Sequence, residues 1–216
     1  MMKRLTVLLL SLCVLCGATA AQPSVGTAAK TQKKERKALE KDQKRKIRQE
    51  TRRFERLRNE AVERFARAHQ PSEILTPASM ANDFRISNVI CAGDRLTGLV
   101  MLHFDITPLY GRFRLFMGGE RNGTYAFAQG ASYPSSDHYG RIYTLRAGQP
   151  THIVVTFYNL AAGTGRIDRA DISMGLALNA LNIITMKNIP ICWTYSDRTI
   201  RDYVRESAGG NSDENR

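Results

Sequence analysis

Four histidines, His69, His103, His138 and His152, and the carboxylates Asp105, Asp168 and Asp171 are the residues of this chain whose types could move protons or hold a metal. A zinc site needs three or four converging ligands, and short Cys-x-x-Cys or His-x-x-x-His spacings usually announce one. Beyond residue 20 no such spacing occurs; Cys13-Val14-Leu15-Cys16 has it, but inside the apolar N-terminal run. Asp105, Asp168, Asp171 and His138 would work as acid and base only if the fold brought them within about 2.6 to 3.2 Å of a reacting group. His103 and His152 fall on the strand parity opposite the apolar residues, which predicts exposed positions. Nucleophile elbow, phosphate loop and metalloprotease motif are all missing from the sequence. The sequence therefore assigns no catalytic residue, metal or cofactor, and the expected class is non-enzymatic.

Four cysteines complete the chemistry-bearing set. Residues 1–20 read as a secretory signal: Lys3-Arg4, an apolar run over residues 5–15, then small residues ending in Ala18-Thr19-Ala20. The run falls short of the roughly 20 apolar residues that span a bilayer. A minority reading makes Cys16 a lipidated bacterial N-terminus, against which Leu15 argues. Removal of the signal would leave Cys91 and Cys192 in an oxidising compartment, either as one disulfide or as inert thiols. A bridge would close a loop of about a hundred residues, worth up to about 4 to 5 kcal/mol in the chain-entropy model.

Two segments with different physics must carry these residues. Residues 21–29 read as a flexible linker. Residues 30–69 hold almost only Lys, Arg, Glu, Gln, Ala and Leu, without Gly or Pro, which predicts one long helix stopped by Pro71. Glu40 with Lys44, Asp42 with Lys46, Glu60 with Arg64 and Glu63 with Arg67 stand at the favourable i, i+4 spacing. The segment carries 16 basic and 7 acidic residues, so it holds nearly all the excess positive charge, with Lys44, Arg45, Lys46, Arg48, Arg52 and Arg53 as its densest part. Phe54, Leu57, Ala61, Phe65 and Ala68 form an apolar stripe in its second half. The stripe predicts docking onto the following domain, or self-association through Phe54, Leu57, Ala61 and Phe65. A sustained coiled-coil heptad is missing.

Beyond residue 84 the period changes to two. Val100, Leu102, Phe104 and Ile106 alternate with polar residues, as do Phe113, Leu115 and Met117, then Ile153, Val155 and Phe157, then Ile172, Met174, Leu176 and Leu178. Turn chemistry separates the runs at Ala92-Gly93-Asp94, in the Gly-rich stretch 118–123, at Pro134-Ser135-Ser136-Asp137, at Ala147-Gly148-Gln149 and in residues 161–165. Seven or eight such strands predict two antiparallel sheets packed face to face over residues 74–205, preceded by one long basic helix, with residues 206–216 as a disordered tail. The fold class is mainly β.

Phe84-Arg85-Ile86-Ser87-Asn88-Val89, then Gly140-Arg141-Ile142-Tyr143, the run from Ala147-Gly148 through Ile153-Val154-Val155, and Lys187-Asn188-Ile189-Pro190-Ile191-Cys192-Trp193 resemble secreted bacterial immunoglobulin-like domains of the telokin-like kind, over roughly residues 84–195. The resemblance implies a β-sandwich in a cell-envelope setting and brings no catalytic residues. In a sandwich the terminal strands often meet, which would bring Cys91 toward Cys192.

Arg112, Arg114 and Arg121 with Tyr110 and Tyr125 are the candidate binding surface, a basic aromatic face on one sheet. Asn122-Gly123-Thr124 fits a glycosylation acceptor in a eukaryote and a hairpin turn in a bacterium. The function expected is an exported envelope protein, periplasmic or envelope-associated. Its sandwich would bind an envelope protein or anionic polymer, and its basic helix would act as spacer or electrostatic contact. Nucleic acid is not an expected partner, and any membrane contact is peripheral. The rival readings are a carbohydrate-binding or hydrolytic envelope protein and a structural homo-oligomer.

Overall fold

The computed structural model describes residues 25–177 and 179–209. Residues 1–24, with the expected signal, Cys16 and the start of the expected linker, and Leu178 and residues 210–216 lie outside the described residues. The chain divides into two units, residues 1–44 and 45–216.

Helix α1 (Val25–Ala68) begins earlier than residue 30. Its described side chains before residue 45 are all exposed. Of the expected intrahelical pairs the structure forms Glu63 with Arg67, at 3.5 Å. It adds Arg36 with Glu40 at 3.4 Å, Arg53 with Glu50 at 3.9 Å and Arg56 with Glu60 at 3.8 Å.

The second unit continues with β1 (Glu73–Leu75), the single turn α2 (Ala78–Ala81), β2 (Phe84–Asp94), β3 (Val100–Pro108) and β4 (Arg112–Met117). After a 3-10 turn come β5 (Tyr125–Ala128), β6 (Ala131–Pro134), β7 (Arg141–Arg146), β8 (Thr151–Phe157), β9 (Arg166–Gly175), β10 (Asn182–Pro190), β11 (Cys192–Thr194) and α3 (Asp197–Gly209). One sheet has seven strands along the path β1-β10-β9-β4-β7, with β5 paired to β9 alongside β4 and β6 outside β5. The other has four, in the order β11-β2-β3-β8.

The two sheets pack face to face, as the alternation requires. Leu102, Phe104, Ile106, Ile153 and Phe157 from the small sheet meet Leu115, Leu145, Ile172, Met174, Ile184 and Met186 from the large one, all fully buried. At roughly 25 cal/mol per Å² of apolar area this layer is the main source of stability. The protein is mainly β, a β-sandwich preceded by a long helix.

Four details depart from the sequence reading. Pairing is antiparallel except that β11 runs parallel to β2, so the small sheet is mixed. Ala92-Gly93-Asp94 is not a turn; it ends β2, where the missing side chain of Gly93 leaves room for the Trp193 ring. The run from Ile172 stops at Gly175, and Leu176 is exposed. Residues 206–209 belong to α3, whose Ile200 and Val204 are buried at i, i+4 spacing. Gly140 shows why some turns must be glycine: at φ 84° an added Cβ would lie 1.9 Å from the Met117 carbonyl oxygen, so only glycine lets this loop press onto β4.

Residues 45–68 of α1 cover the outer face of the four-stranded sheet, but not through the expected stripe. The inward positions are Thr51 and Ala66, both buried, with Glu55, Arg58, Val62 and Phe65 half-buried between them and Ile47 half-buried one turn earlier. Phe54 and Leu57 remain 41% and 49% exposed, and Ala61 and Ala68 are exposed as well. Ion pairs turn the helix this way. Arg58 bonds Asp197 and donates to the Tyr195 carbonyl at 3.3 Å, while Glu55 faces Arg201 at 3.8 Å. Of the four stripe residues offered for self-association, Phe65 is half-buried, and Phe54 meets the Tyr203 ring of α3 edge-on at 6.1 Å.

Candidate functional site

On the outer face of the four-stranded sheet three titratable side chains join end to end. β2 bulges between Ser87 and Ile90, and Asn88 takes the left-handed conformation, φ 53°, that asparagine tolerates. The bulge aims the Asn88 amide at Asp105 of β3, to which it donates at 2.8 Å. The second Asp105 oxygen stands 3.0 Å from His152 Nδ1, on the paired strand β8. His152 Nε2 in turn lies 3.1 Å from Nδ1 of His103, two residues before Asp105 on β3, with the rings nearly parallel and 5.3 Å apart.

The polarity of this chain follows from its acid end. Burial raises the cost of charging Asp105, but hydrogen bonds from Asn88 and His152 and the His152 charge outweigh it and hold the carboxyl below its usual range. An ionised carboxylate only accepts, so His152 Nδ1 carries a proton and donates to Asp105. In the tautomer in which neutral His103 donates through Nδ1 to His152 Nε2, His103 Nε2 is the unprotonated acceptor. His103 Nε2 has no protein partner among the described residues. Burial, then the neighbouring His152 and Arg58 charges, lower His103 to about 4, so it is neutral at pH 7.

Two clefts of about 310 and 350 Å³ flank the chain under α1. Arg58, Asn59, His103 and Tyr195 line the first, and Gln70, Asn88 and Asp105 the second; Glu63 and His152 line both. The arrangement can hold and accept a proton. Among the described residues no hydroxyl or thiol bonds either imidazole, so it holds no activated nucleophile. Nor do three or more His, Cys, Asp or Glu side chains among them converge on a metal position.

The acid and base group named from sequence does not assemble. Asp168 and Asp171 lie on β9 of the other sheet, where Asp168 accepts from the Gln129 amide at 3.0 Å and Asp171 from Thr185 at 2.9 Å. His138 faces Glu120 at 2.8 Å, and His69 stacks on Phe65 at the end of α1. Of that group only Asp105 joins the chain, by bonding His152, which is exposed; His152 in turn meets His103, which is half-buried and not the open strand residue expected. Sequence reasoning missed the chain because identical strand parity put Asp105, His103 and His152 on one face, but nothing in the sequence paired β3 with β8.

The basic aromatic candidates scatter more than their sequence spacing suggests. Arg112 and Arg114 share the outer face of β4, and Tyr125 is half-buried on β5 of the same sheet. Arg121 leaves the 3-10 turn to lie 5.1 Å over the Tyr139 ring. Tyr110 sits in the β3–β4 turn, donating to Asp83, which pushes its hydroxyl pKa up. Two further pairs were not foreseen: Arg114 over Phe116 at 5.8 Å and Arg169 over Phe127 at 4.1 Å. Such cation-π pairs present a flat, charged, weakly hydrated surface. On α1, Lys44, Arg45, Lys46, Arg48, Arg52 and Arg53 are all exposed, and among the described residues only Arg53 of these six is in an ion pair.

Both cysteines are free thiols. The terminal strands do meet, but Cys192 pairs in register with Ala92, so it points to the face opposite Cys91, which pairs with Leu102 on the inner side. Burial raises the Cys91 thiol far above its ordinary value, with the neighbouring Cys192 adding to it. Burial also raises Cys192, less so because Arg95 opposes the shift. Comparison with known families, curated proteins and solved structures returns no match for this chain.

Proposed function

We propose that this protein is a non-enzymatic binding module of the cell envelope, exported by its N-terminal signal, with an immunoglobulin-like sandwich that carries an electrostatic contact for an anionic partner. The observation that carries the reading is the uncommitted charge on α1: Lys44, Arg45, Lys46, Arg48 and Arg52 are exposed and form no ion pair among the described residues. Side chains held in internal pairs have little left for a partner; these remain available to phosphate, sulfate or carboxylate groups. The arginines stacked on aromatic rings of the seven-stranded sheet support the same preference. No described helix is long and apolar enough to cross a membrane, so any lipid contact in this reading is peripheral. The test is retention on immobilised heparin as a model polyanion, with a salt gradient. The full chain is expected to elute well above physiological salt, and a variant with Arg45, Arg48, Arg52 and Arg53 changed to Gln to elute much earlier. Equal elution of the two defeats the reading.

The linked Asp105, His152 and His103 favour a second reading, a hydrolytic envelope protein in which His103 Nε2 acts as base toward water in the first cleft. Reproducible turnover on a hydrolase panel that disappears in His103→Gln would install it in place of the binding reading.

A further inference from the structure

The segment of α1 that lies on the small sheet is held by few apolar contacts. Polar Thr51, Glu55 and Arg58 share its inward side with the merely half-buried Ile47, Val62 and Phe65, and clefts of about 310 and 350 Å³ lie along it. Its only buried apolar residue is Ala66. Elements with this little apolar burial open at low free-energy cost. Under the segment sits half-buried His103, in the same cleft as Arg58.

We propose that residues 45–68 of α1 form an acid-released strap, held over the outer face of the four-stranded sheet while His103 is neutral and let go when it takes up a proton. The charged groups around His103 fix the direction. From α1 it meets Arg58 and, along the clefts, Glu63; from β8, His152; from β3, Asp105; from the end of β2, Asp94; and from the start of α3, Asp197. None of the carboxylates is open to a charged His103. Asp197 is bonded to Arg58, Glu63 is paired with Arg67, Asp105 is committed to Asn88 and His152 on the far side of the second ring, and Asp94 is engaged by Ser196 and Thr199. A proton arriving on His103 Nε2 therefore adds positive charge in a half-buried place beside the Arg58 guanidinium.

Lifting the strap returns His103 to water and to its ordinary value near 6.5, against about 4 when docked. Because the docked state has the lower pKa, the released state binds more protons between those values. Docking is at full strength above about pH 6.5 and weakens as pH falls toward 4, by up to tenfold in the equilibrium constant per pH unit.

The experiment is hydrogen exchange of the full chain at pH 7.0, 6.0, 5.0 and 4.5, corrected for the intrinsic pH dependence of exchange. Amides of residues 45–68 are expected to lose protection by ten- to a hundredfold relative to pH 7.0, while β3, β9 and β10 keep theirs. In His103→Gln, neutral throughout the range, the loss should vanish. An unchanged acid response in that variant, or a simultaneous loss across the strands, overturns the proposal. A second readout needs no variant: the His103 imidazole, followed by NMR, should titrate below its ordinary value. A titration at the ordinary value also overturns it.

Discussion

Asp94 shows how one buried carboxylate fastens two elements. At the end of β2 it accepts from the Leu96 amide at 2.9 Å, the Ser196 amide at 3.1 Å and the Thr199 hydroxyl at 2.7 Å, while Ser196 caps α3 through the Thr199 amide. Burial alone would raise its pKa, but hydrogen bonds from Ser196, Thr199 and Leu96 reverse the sign and bring it to about 2. Since the folded value lies below the ordinary 3.8, this stabilisation is complete above about pH 4 and is lost as pH falls toward 2. Asp94→Ala should lower stability by about 1 to 3 kcal/mol at pH 7 in urea denaturation, and the difference should shrink toward pH 2. The thiols give a second test at this scale. Cys192 should react slowly with a thiol reagent in the native protein and Cys91 only after unfolding, because reaction follows exposure and thiolate fraction.

At the scale of elements the instructive case is α1. Its apolar residues mark one stripe, but the helix docks by another face, rotated so that Arg58 reaches Asp197 and Glu55 reaches Arg201. Charge pairing with α3 thus sets the rotation, and α3 was itself unread because its polar sequence runs straight into a Gly-rich end. Its signal was present in Ile200 and Val204 behind Ser196. Leu57→Glu should therefore change stability by no more than about 0.5 kcal/mol and leave the protein's oligomeric state unaltered in light scattering. Ala66→Glu, which forces a charge into the buried side of the same helix, should loosen residues 45–68 and expose them to limited proteolysis.

For the molecule as a whole, the sandwich interior carries stability while the outer faces and the helix carry charge. Phe104, fully buried between the sheets, is the kind of residue whose loss leaves a cavity. Phe104→Ala should cost about 3 to 5 kcal/mol in chemical denaturation while leaving polyanion retention of the folded fraction unchanged, because the cationic surface lies outside this core.

The period-two rows were legible in the chain because a strand places alternate side chains on opposite faces whatever its neighbours are. The long helix was equally legible, because its residue types favour the helix without outside help. Sequence determined these two classes of element, the apolar interior and the location of the charge. Tertiary structure alone decided which strands became neighbours, and so that Asp105, His152 and His103 touch, that Cys91 and Cys192 face opposite sides of one sheet, and which side of α1 turns inward. Local preference acts within a few residues, while these contacts join positions tens of residues apart, and only closure of the fold brings such positions within hydrogen-bonding distance.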